Sequence, residues 1–273
     1  MDLAKIKMVA TDMDGTLLNS KGEVSRHFFE LFEELHSLGV TFVAASGRQY
    51  YSIIDKLKPI KDDIYVIAEN GALTMRQDNE LQTTEIDRQT YLELLEIIKT
   101  LKGSQVILCG RKRGYVEDHG QSFIDMFSEF YDRYQIVENL ADITDDQYLK
   151  IAICNQKGAE KYLYPAFKHL ENSLKVKVSG EIWLDLSHNL ANKGHALQQL
   201  QESYSISPEE TMVFGDYNND LEMMTRATYS FAMQNAHPNV KAIANYTTKS
   251  NNENGVEYIL EKMIMAKKAV INI

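Results

Sequence analysis

The sequence predicts an α/β protein: a doubly wound, parallel-sheet core of the Rossmann-like kind, interrupted by a smaller inserted α/β domain. Three observations predict it. Between residues 6 and 68, short apolar runs alternate with amphipathic stretches, the strand–helix–strand rhythm that a parallel sheet requires. Near residue 83 that rhythm gives way to hairpin-like pairs and a meander, and after Asn192 it resumes. Polar clusters stand at the ends of the predicted core elements, where open parallel sheets bind ligands. The expected division is a core of residues 1–82 and 188–273, with an insert at 83–187.

Each element follows from its residues. Ile6-Lys7-Met8-Val9-Ala10-Thr11 is short, apolar and partly β-branched, and reads as a buried strand that ends in the turn Asp12-Met13-Asp14-Gly15-Thr16. Ser25 can cap a helix with the apolar face Phe28, Phe29, Phe32, Leu35 and Leu38, closed by Gly39. Val40–Ala45 is a second strand, ended by Ser46-Gly47-Arg48. A helix near Gln49–Leu57, closed by Pro59, leads to a third strand, Ile64–Ala68. Ala72–Met75 and Leu81–Thr84 flank the turn Gln77-Asp78-Asn79. In the insert, a helix is expected near Thr90–Leu101, strands near Gln105–Cys109 and Gly114–Glu117, a helix near Ser122–Tyr131 and a strand at Tyr148–Cys154. A further helix near Ala159–Leu170 contains Pro165, which should kink or break it, because proline lacks the N–H and clashes with the preceding turn. Leu174–Val178 and Ile182–Leu186 alternate as a meander. The returning core reads as a helix at Gly194–Ser203, a strand at Thr211–Phe214 and a helix at Asn219–Thr225. Strands near Tyr229–Ala232 and Asn245–Thr248 and a helix near Gly255–Lys267 complete it.

Composition limits the function classes. Hydrophobic residues at 44% and charged residues at 25% are ordinary for a folded chain and exclude extended disorder. With 39 acidic against 29 basic residues the net charge is −10, so there is no electrostatic footprint for nucleic acid or an anionic membrane. No apolar run approaches the ~18 residues of a membrane span. Met1 to Lys7 lacks the apolar centre of a signal peptide. Cys109 and Cys154, in apolar strand-like runs, read as reduced, buried thiols. A cytoplasmic protein with no obligate protein partner is expected.

Four polar clusters stand at strand or helix ends: Asp12-x-Asp14-Gly15-Thr16, Ser46-Gly47-Arg48, Asn192-Lys193-Gly194 and Gly215-Asp216-x-x-Asn219-Asp220. Each has an ordinary explanation alone, as a turn, a loop pair, a solvated lysine or a helix cap. Their joint occurrence, in order, favours a site. A dinucleotide loop would need several glycines in the first turn, and only Gly15 is there. A calcium loop would need a glycine where Leu17 stands, and would follow a helix rather than a strand. The clusters suit phosphoryl transfer by a carboxylate nucleophile. Asp12, Asp14 and Asp216 could share one Mg²⁺, which favours oxygen ligands, waters and a substrate phosphate. Asp12 could attack phosphorus, Asp14 could protonate the leaving oxygen, and Ser46 and Lys193 could hold the phosphoryl oxygens.

These residues resemble those of a known family. Asp12-Met13-Asp14-Gly15-Thr16-Leu17-Leu18 is similar to the first motif of the haloacid dehalogenase (HAD) superfamily, with Met13 where Leu or Phe is usual. Ser46, Lys193 and Gly215-Asp216-Tyr217-Asn218-Asn219-Asp220-Leu221-Glu222-Met223 resemble its second, third and fourth motifs. Asn70-Gly71-Ala72, Asn192-Lys193-Gly194, Ala232-Met233-x-Asn235-Ala236 and Asn254-Gly255-Val256 resemble its Cof-type, sugar-phosphate-phosphatase-like branch. The resemblance implies a HAD core carrying a class IIB α/β cap, and a Mg²⁺-dependent phosphatase acting through an aspartyl-phosphate. It implies Asp12 as nucleophile, Asp14 as acid/base, and Asp12, the main-chain oxygen of Asp14 and Asp216 as metal ligands. Asp220 would ligate indirectly, and Ser46, Gly47, Lys193 and Asn219 would bind phosphate. The implied substrate is a small phosphate ester.

In the insert, Glu181, Trp183 and the Arg111-Lys112-Arg113 turn are candidates for substrate contact, against the plainer readings of a rim aromatic and a solvated hairpin tip. His119 and His188 have no transition-metal spacing. Two alternatives keep the same residues: a phosphosugar mutase or phosphotransferase, and a phosphometabolite-binding regulatory protein without turnover. The latter should have lost Asp12, Asp14 or Lys193, and all three are present.

Overall fold

The computed structural model describes residues 2–128 and 131–271. It contains two compact units, Met1–Leu81 with Asn192–Ile273, and Gln82–Ala191. In chain order the strands are β1 (Met8–Asp12), β2 (Thr41–Ala45), β3 (Tyr65–Ala68), β4 (Leu73–Arg76), β5 (Asn79–Thr83), β6 (Gln105–Gly110) and β7 (Gly114–Glu117). They continue with β8 (Tyr134–Val137), β9 (Tyr148–Cys154), β10 (Leu174–Val178), β11 (Trp183–His188), β12 (Thr211–Gly215), β13 (Tyr229–Ala232) and β14 (Tyr246–Thr247). The α-helices are α1 (Arg26–Ser37), α2 (Tyr50–Lys56), α3 (Arg88–Lys99), α4 (Gln121–Phe127), α5 (Tyr164–Phe167), α6 (Lys193–Tyr204), α7 (Leu221–Met224), α8 (Pro238–Ile243) and α9 (Gly255–Ile271).

Among the described residues, one sheet has the order β14-β13-β12-β1-β2-β3-β4-β5. It is parallel from β14 to β3, and β4 turns back antiparallel on β3. Every residue of β1 is buried, as a central parallel strand covered on both faces demands. The α1 stripe is Phe28, Leu31, Phe32 and Leu35, an i, i+3, i+4, i+7 set. Phe29 and Leu38, expected on that face, are only half-buried, and Leu31 takes the place that helical spacing assigns. Ser25 caps the helix, accepting from the Phe28 amide at 3.0 Å.

The second unit holds a sheet of order β10-β11-β9-β6-β7-β8. Its strands alternate, so Leu108, Ile151, Ile153 and Leu186 pack with Tyr91, Leu94 and Phe167 on one face. Ile107, Cys109, Ala152 and Cys154 pack with Phe123 and Phe127 on the other. Pro165 has the expected effect: the segment is a widened turn at Ala159–Leu163, the single α-turn α5 and a 3₁₀ turn at Lys168–Leu170. The helix expected at Ser122–Tyr131 is α4, and its residues 129 and 130 lie outside the described residues. Asn219–Thr225 is a 3₁₀ turn at Asn218–Asp220 followed by α7. Two elements were not expected, β8 and α8. No described helix is long and apolar enough to cross a membrane.

Candidate active site

The parallel register brings distant residues to one edge of the core sheet. Asp12 pairs with Ala45 and Thr11 with Phe214. Asp12, Ser46 and Asp216 therefore leave β1, β2 and β12 at the same carboxyl end. Lys193 is delivered by the first turn of α6, whose cap Asn192 accepts from the His195 amide at 2.8 Å. Gly71 permits that placement: its φ is +100°, and a Cβ there would lie 2.4 Å from the Asn192 carbonyl.

The Lys193 ammonium is fully buried and donates to Asp12 Oδ1 at 2.5 Å and to Asp220 Oδ1 at 2.7 Å. Asp220 Oδ2 accepts from the amides of Asp216 and Tyr217 at 2.9 and 3.1 Å. Asp216 accepts from the Thr16 hydroxyl at 3.3 Å. Carboxylate oxygens of Asp12, Asp216 and Asp220 lie within 4.8 Å of one another. Gly15, at φ +79°, leaves room for this approach, since a Cβ there would fall 2.3 Å from Asp216 Oδ2.

Three carboxylates face one ammonium, so two negative charges lack a partner in this set. Burial, and then repulsion by Asp220, push the Asp216 carboxyl up to about 6. Burial, with Asp220 and Asp216, likewise raises Asp12 against the pull of Lys193. Burial disfavours the Lys193 charge, but Asp12 and Asp220 overcome it and hold its pKa above the ordinary lysine value. Asp12 Oδ2 is buried with no hydrogen-bond partner among the described residues. An all-oxygen set with two excess negative charges and an orphaned carboxylate oxygen fits a hard divalent cation.

Asp14 is different. Its side chain is 47% exposed, and the buried Arg48 grips it in a fork, Nε to Oδ2 at 2.8 Å and Nη2 to Oδ1 at 2.7 Å. The Arg48 amide also donates to the Ser46 hydroxyl at 3.1 Å, so one turn orients both residues. Asn219 donates to Asn70 Oδ1 at 3.0 Å, and the Asn70 amide group lies 3.1 Å from where a Gly47 Cβ would stand. The structure thus links Asp12, Asp216, Asp220 and Lys193 directly, Asp14 to Ser46 through Arg48, and Asn219 to Gly47 through Asn70.

The insert candidates belong to the second unit. Trp183 packs against the cluster that holds Phe123 and Phe127 and pairs in register with Cys154, and the Glu181 carbonyl accepts from the Ala159 amide at 2.8 Å. The Arg111 amide donates to the Gln147 carbonyl at 3.2 Å, and the Lys112 amide donates to Asp146 Oδ2 at 3.0 Å. Arg48 and Asn70 carry no functional signal of their own in the sequence, though they stand in Ser46-Gly47-Arg48 and Asn70-Gly71-Ala72. Their partners, 34 and 149 residues away, are invisible to local pattern.

A family model described as haloacid dehalogenase-like hydrolase matches residues 9–260. The 5-amino-6-(5-phospho-D-ribitylamino)uracil phosphatase YbjI of Escherichia coli K12 is 30% identical, over 95% of this chain and 96% of its own. The solved structure of SMU.1108c from Streptococcus mutans UA159 superposes with a TM-score of 0.87 at 29% identity, covering 95% of this chain and 99% of that one. The HAD subclass IIB sugar phosphatase BT4131 shares the fold, with a TM-score of 0.79 at 22% identity over 94% of this chain and 98% of its own. The family match runs through both units and includes Asp12, Asp14, Lys193, Asp216 and Asp220, and the chain therefore belongs to the haloacid dehalogenase-like hydrolases, an enzyme family whose members named here include phosphatases.

Proposed function

We propose that this chain is a Mg²⁺-dependent, cytoplasmic phosphatase that hydrolyses small phosphorylated metabolites through an aspartyl-phosphate. The observation that carries the reading is the buried Asp12–Lys193–Asp220 array beside Asp216, with one Asp12 oxygen left without a described partner. Asp12, the main-chain oxygen of Asp14 and Asp216 would hold the metal, with Asp220 behind them. Bound there, Mg²⁺ would supply the positive charge that lets an anionic ester approach an anionic nucleophile.

The residues then have separate tasks. Lys193, Ser46, the Gly47 amide and Asn219 receive the phosphoryl oxygens, over which charge spreads in the transition state. One carboxylate oxygen of Asp12 forms a bond to phosphorus as the bond from phosphorus to the ester oxygen breaks. Asp14 gives its proton to that departing oxygen. Water next attacks the phosphorus of the aspartyl-phosphate, its proton passes to Asp14, and inorganic phosphate leaves as the Asp12 carboxylate is restored. Arg48 holds Asp14 at the mouth of the site, and the exposure of Asp14 leaves it open to substrate and water.

The substrate's remaining part would be chosen by the inserted unit, with Glu181, Trp183 and Arg111 as candidate contacts. The test is inorganic phosphate release from a panel of alkyl and aryl phosphate monoesters, with Mg²⁺ and with chelator. The panel includes the phosphorylated ribityl compound named for the YbjI relative. Release that requires the metal is expected, and no release from any ester contradicts the reading. Transfer of phosphate to an added sugar in preference to water would turn it into a phosphotransferase.

A further inference from the structure

Three asparagines between β13 and α9 end on the loop that follows β1, and the mechanism above uses none of them. Asn235 Nδ2 donates to the Gly15 carbonyl at 2.8 Å. Asn251 Nδ2 donates to the Leu18 carbonyl at 2.9 Å, and Asn252 Oδ1 accepts from the Ser20 amide at 2.9 Å. The first two are joined, because the Asn251 amide N–H donates to Asn235 Oδ1 at 3.1 Å. Asn235 thus uses both ends of its side-chain amide, which neither Asp nor Ala could do in the same way.

The turn that carries Asn235 is itself fixed to the second carboxylate loop. The Met233 amide donates to the Gly215 carbonyl at 3.1 Å, and the His237 amide donates to the Asp216 carbonyl at 2.7 Å. Residues 233–237 therefore form a strut between the loop of Asp216 and the loop of Asp14. The bonds to Gly15 and Leu18 span 220 and 233 residues of sequence, so they contribute nothing to local turn formation and act only in the folded core.

The Asp14 loop is also held by bonds of its own, and its Met13, Thr16, Leu17 and Leu18 are buried. Its internal bonds include Thr16 and Leu18 amides to the Met13 carbonyl, at 3.3 and 2.8 Å. Gly15, in its middle, has the most permissive backbone of any residue type. Arg48 fixes the carboxylate end of Asp14. The main-chain end is tied by Asn235 immediately after it and by Asn251 four residues on.

We propose that Asn235, together with Asn251, is a positioning residue: it clamps the backbone on which Asp14 rides and so sets the approach of the Asp14 carboxyl to the ester oxygen. This rests on the phosphatase reading through the proton-donor role of Asp14. The clamp has a selective consequence. An alkyl phosphate expels a strongly basic alkoxide and needs the proton, whereas p-nitrophenyl phosphate expels a weakly basic phenolate and needs it far less.

The test uses the full chain as wild type, Asn235→Ala and Asn251→Ala. Hydrogen exchange is read over residues 13–22, and kcat and KM are measured with Mg²⁺ on the fastest alkyl ester of the panel and on p-nitrophenyl phosphate. Faster exchange in that loop is expected, with β1 and β12 unchanged. The kcat for the alkyl ester should fall about ten- to a hundredfold, the scale on which small misplacements act. At saturating Mg²⁺, which offsets any weaker hold by the Asp14 main-chain oxygen, the aryl ester should lose much less, and KM should move little for either. In an Asp14→Asn background, Asn235→Ala should cost the alkyl ester nothing further. Unchanged exchange in both variants overturns the clamp, and equal losses on the two esters overturn its link to Asp14. A wild-type protein inert toward every ester overturns the phosphatase reading instead, while exchange still decides the clamp.

Discussion

At Lys193 a fully buried ammonium stands between two carboxylates, and the balance of charge there decides both stability and chemistry. Lys193→Met keeps volume but leaves Asp12 and Asp220 buried without their cation. Removing one partner of a buried pair typically costs ~3–5 kcal/mol, so the metal-free variant should unfold at clearly lower denaturant concentration than wild type. An unchanged midpoint would contradict the assigned pairing. Asp14 is half exposed, but its partner Arg48 is buried, so Asp14→Asn, which keeps an acceptor oxygen yet removes the countercharge, should lower stability by less than Lys193→Met does. The same variant should lose ~10²–10⁴-fold in kcat on an alkyl phosphate, the usual worth of general acid–base help. Asp12, Asp14, Lys193 and Asp216 were legible because each sits where a predicted strand or helix begins or ends. Arg48 was not, because an arginine beside a turn is ordinarily solvated, and only the fold brings it to Asp14, 34 residues earlier.

Among the elements, those with strong periodicity and a cap were readable in sequence, and those without were not. β9 was legible from its apolar run, and every one of its residues is buried. β8 escaped because it is only four residues long and its first three are exposed, so no buried face marks it. α8 escaped because its cap is His237, whose Nδ1 accepts from the Asn239 amide at 3.2 Å, rather than a Ser, Thr, Asp or Asn. α3 offers the sharpest test of a cap. Asp87 accepts from the Thr90 hydroxyl at 2.6 Å and the Thr90 amide at 3.0 Å, and these bonds lower its carboxyl below the ordinary 3.8. A group with a depressed folded pKa stabilises fully above its unfolded value and loses that contribution as the pH falls through the folded one. Asp87→Ala should therefore cost about 1 kcal/mol near neutrality, and the difference from wild type should shrink as the pH falls below about 4. Equal stability of the two proteins at pH 7, by denaturant titration, would contradict the cap.

Across the whole molecule, residues from the first strand and from the last third of the chain must fold together before the carboxylate cluster exists. Spacing could place Asp12 and Asp216 at strand ends, but the order β12-β1-β2 that makes them neighbours belongs to the sheet. Asn70, Asn219 and Asn235 stand in motif fragments and Asn251 in none, and their contacts were not legible because each side-chain bond joins distant segments. Crowding three acids onto one lysine predicts that a divalent cation stabilises the fold by mass action. At a hundred times its Kd, one bound Mg²⁺ adds about 2.7 kcal/mol, so Tm should rise with Mg²⁺ and fall back with chelator. Asp216→Asn should blunt that response, and a Tm indifferent to Mg²⁺ in the wild type would contradict it. The most direct measurement compares wild type and Asp12→Asn for phosphate release from the best monoester of the panel, with intact-protein mass taken after acid quench. The account predicts Mg²⁺-dependent release and one trapped phosphoryl group on the wild type, and neither on a folded Asp12→Asn protein. Phosphate release by that variant at the wild-type rate would contradict the account at its centre.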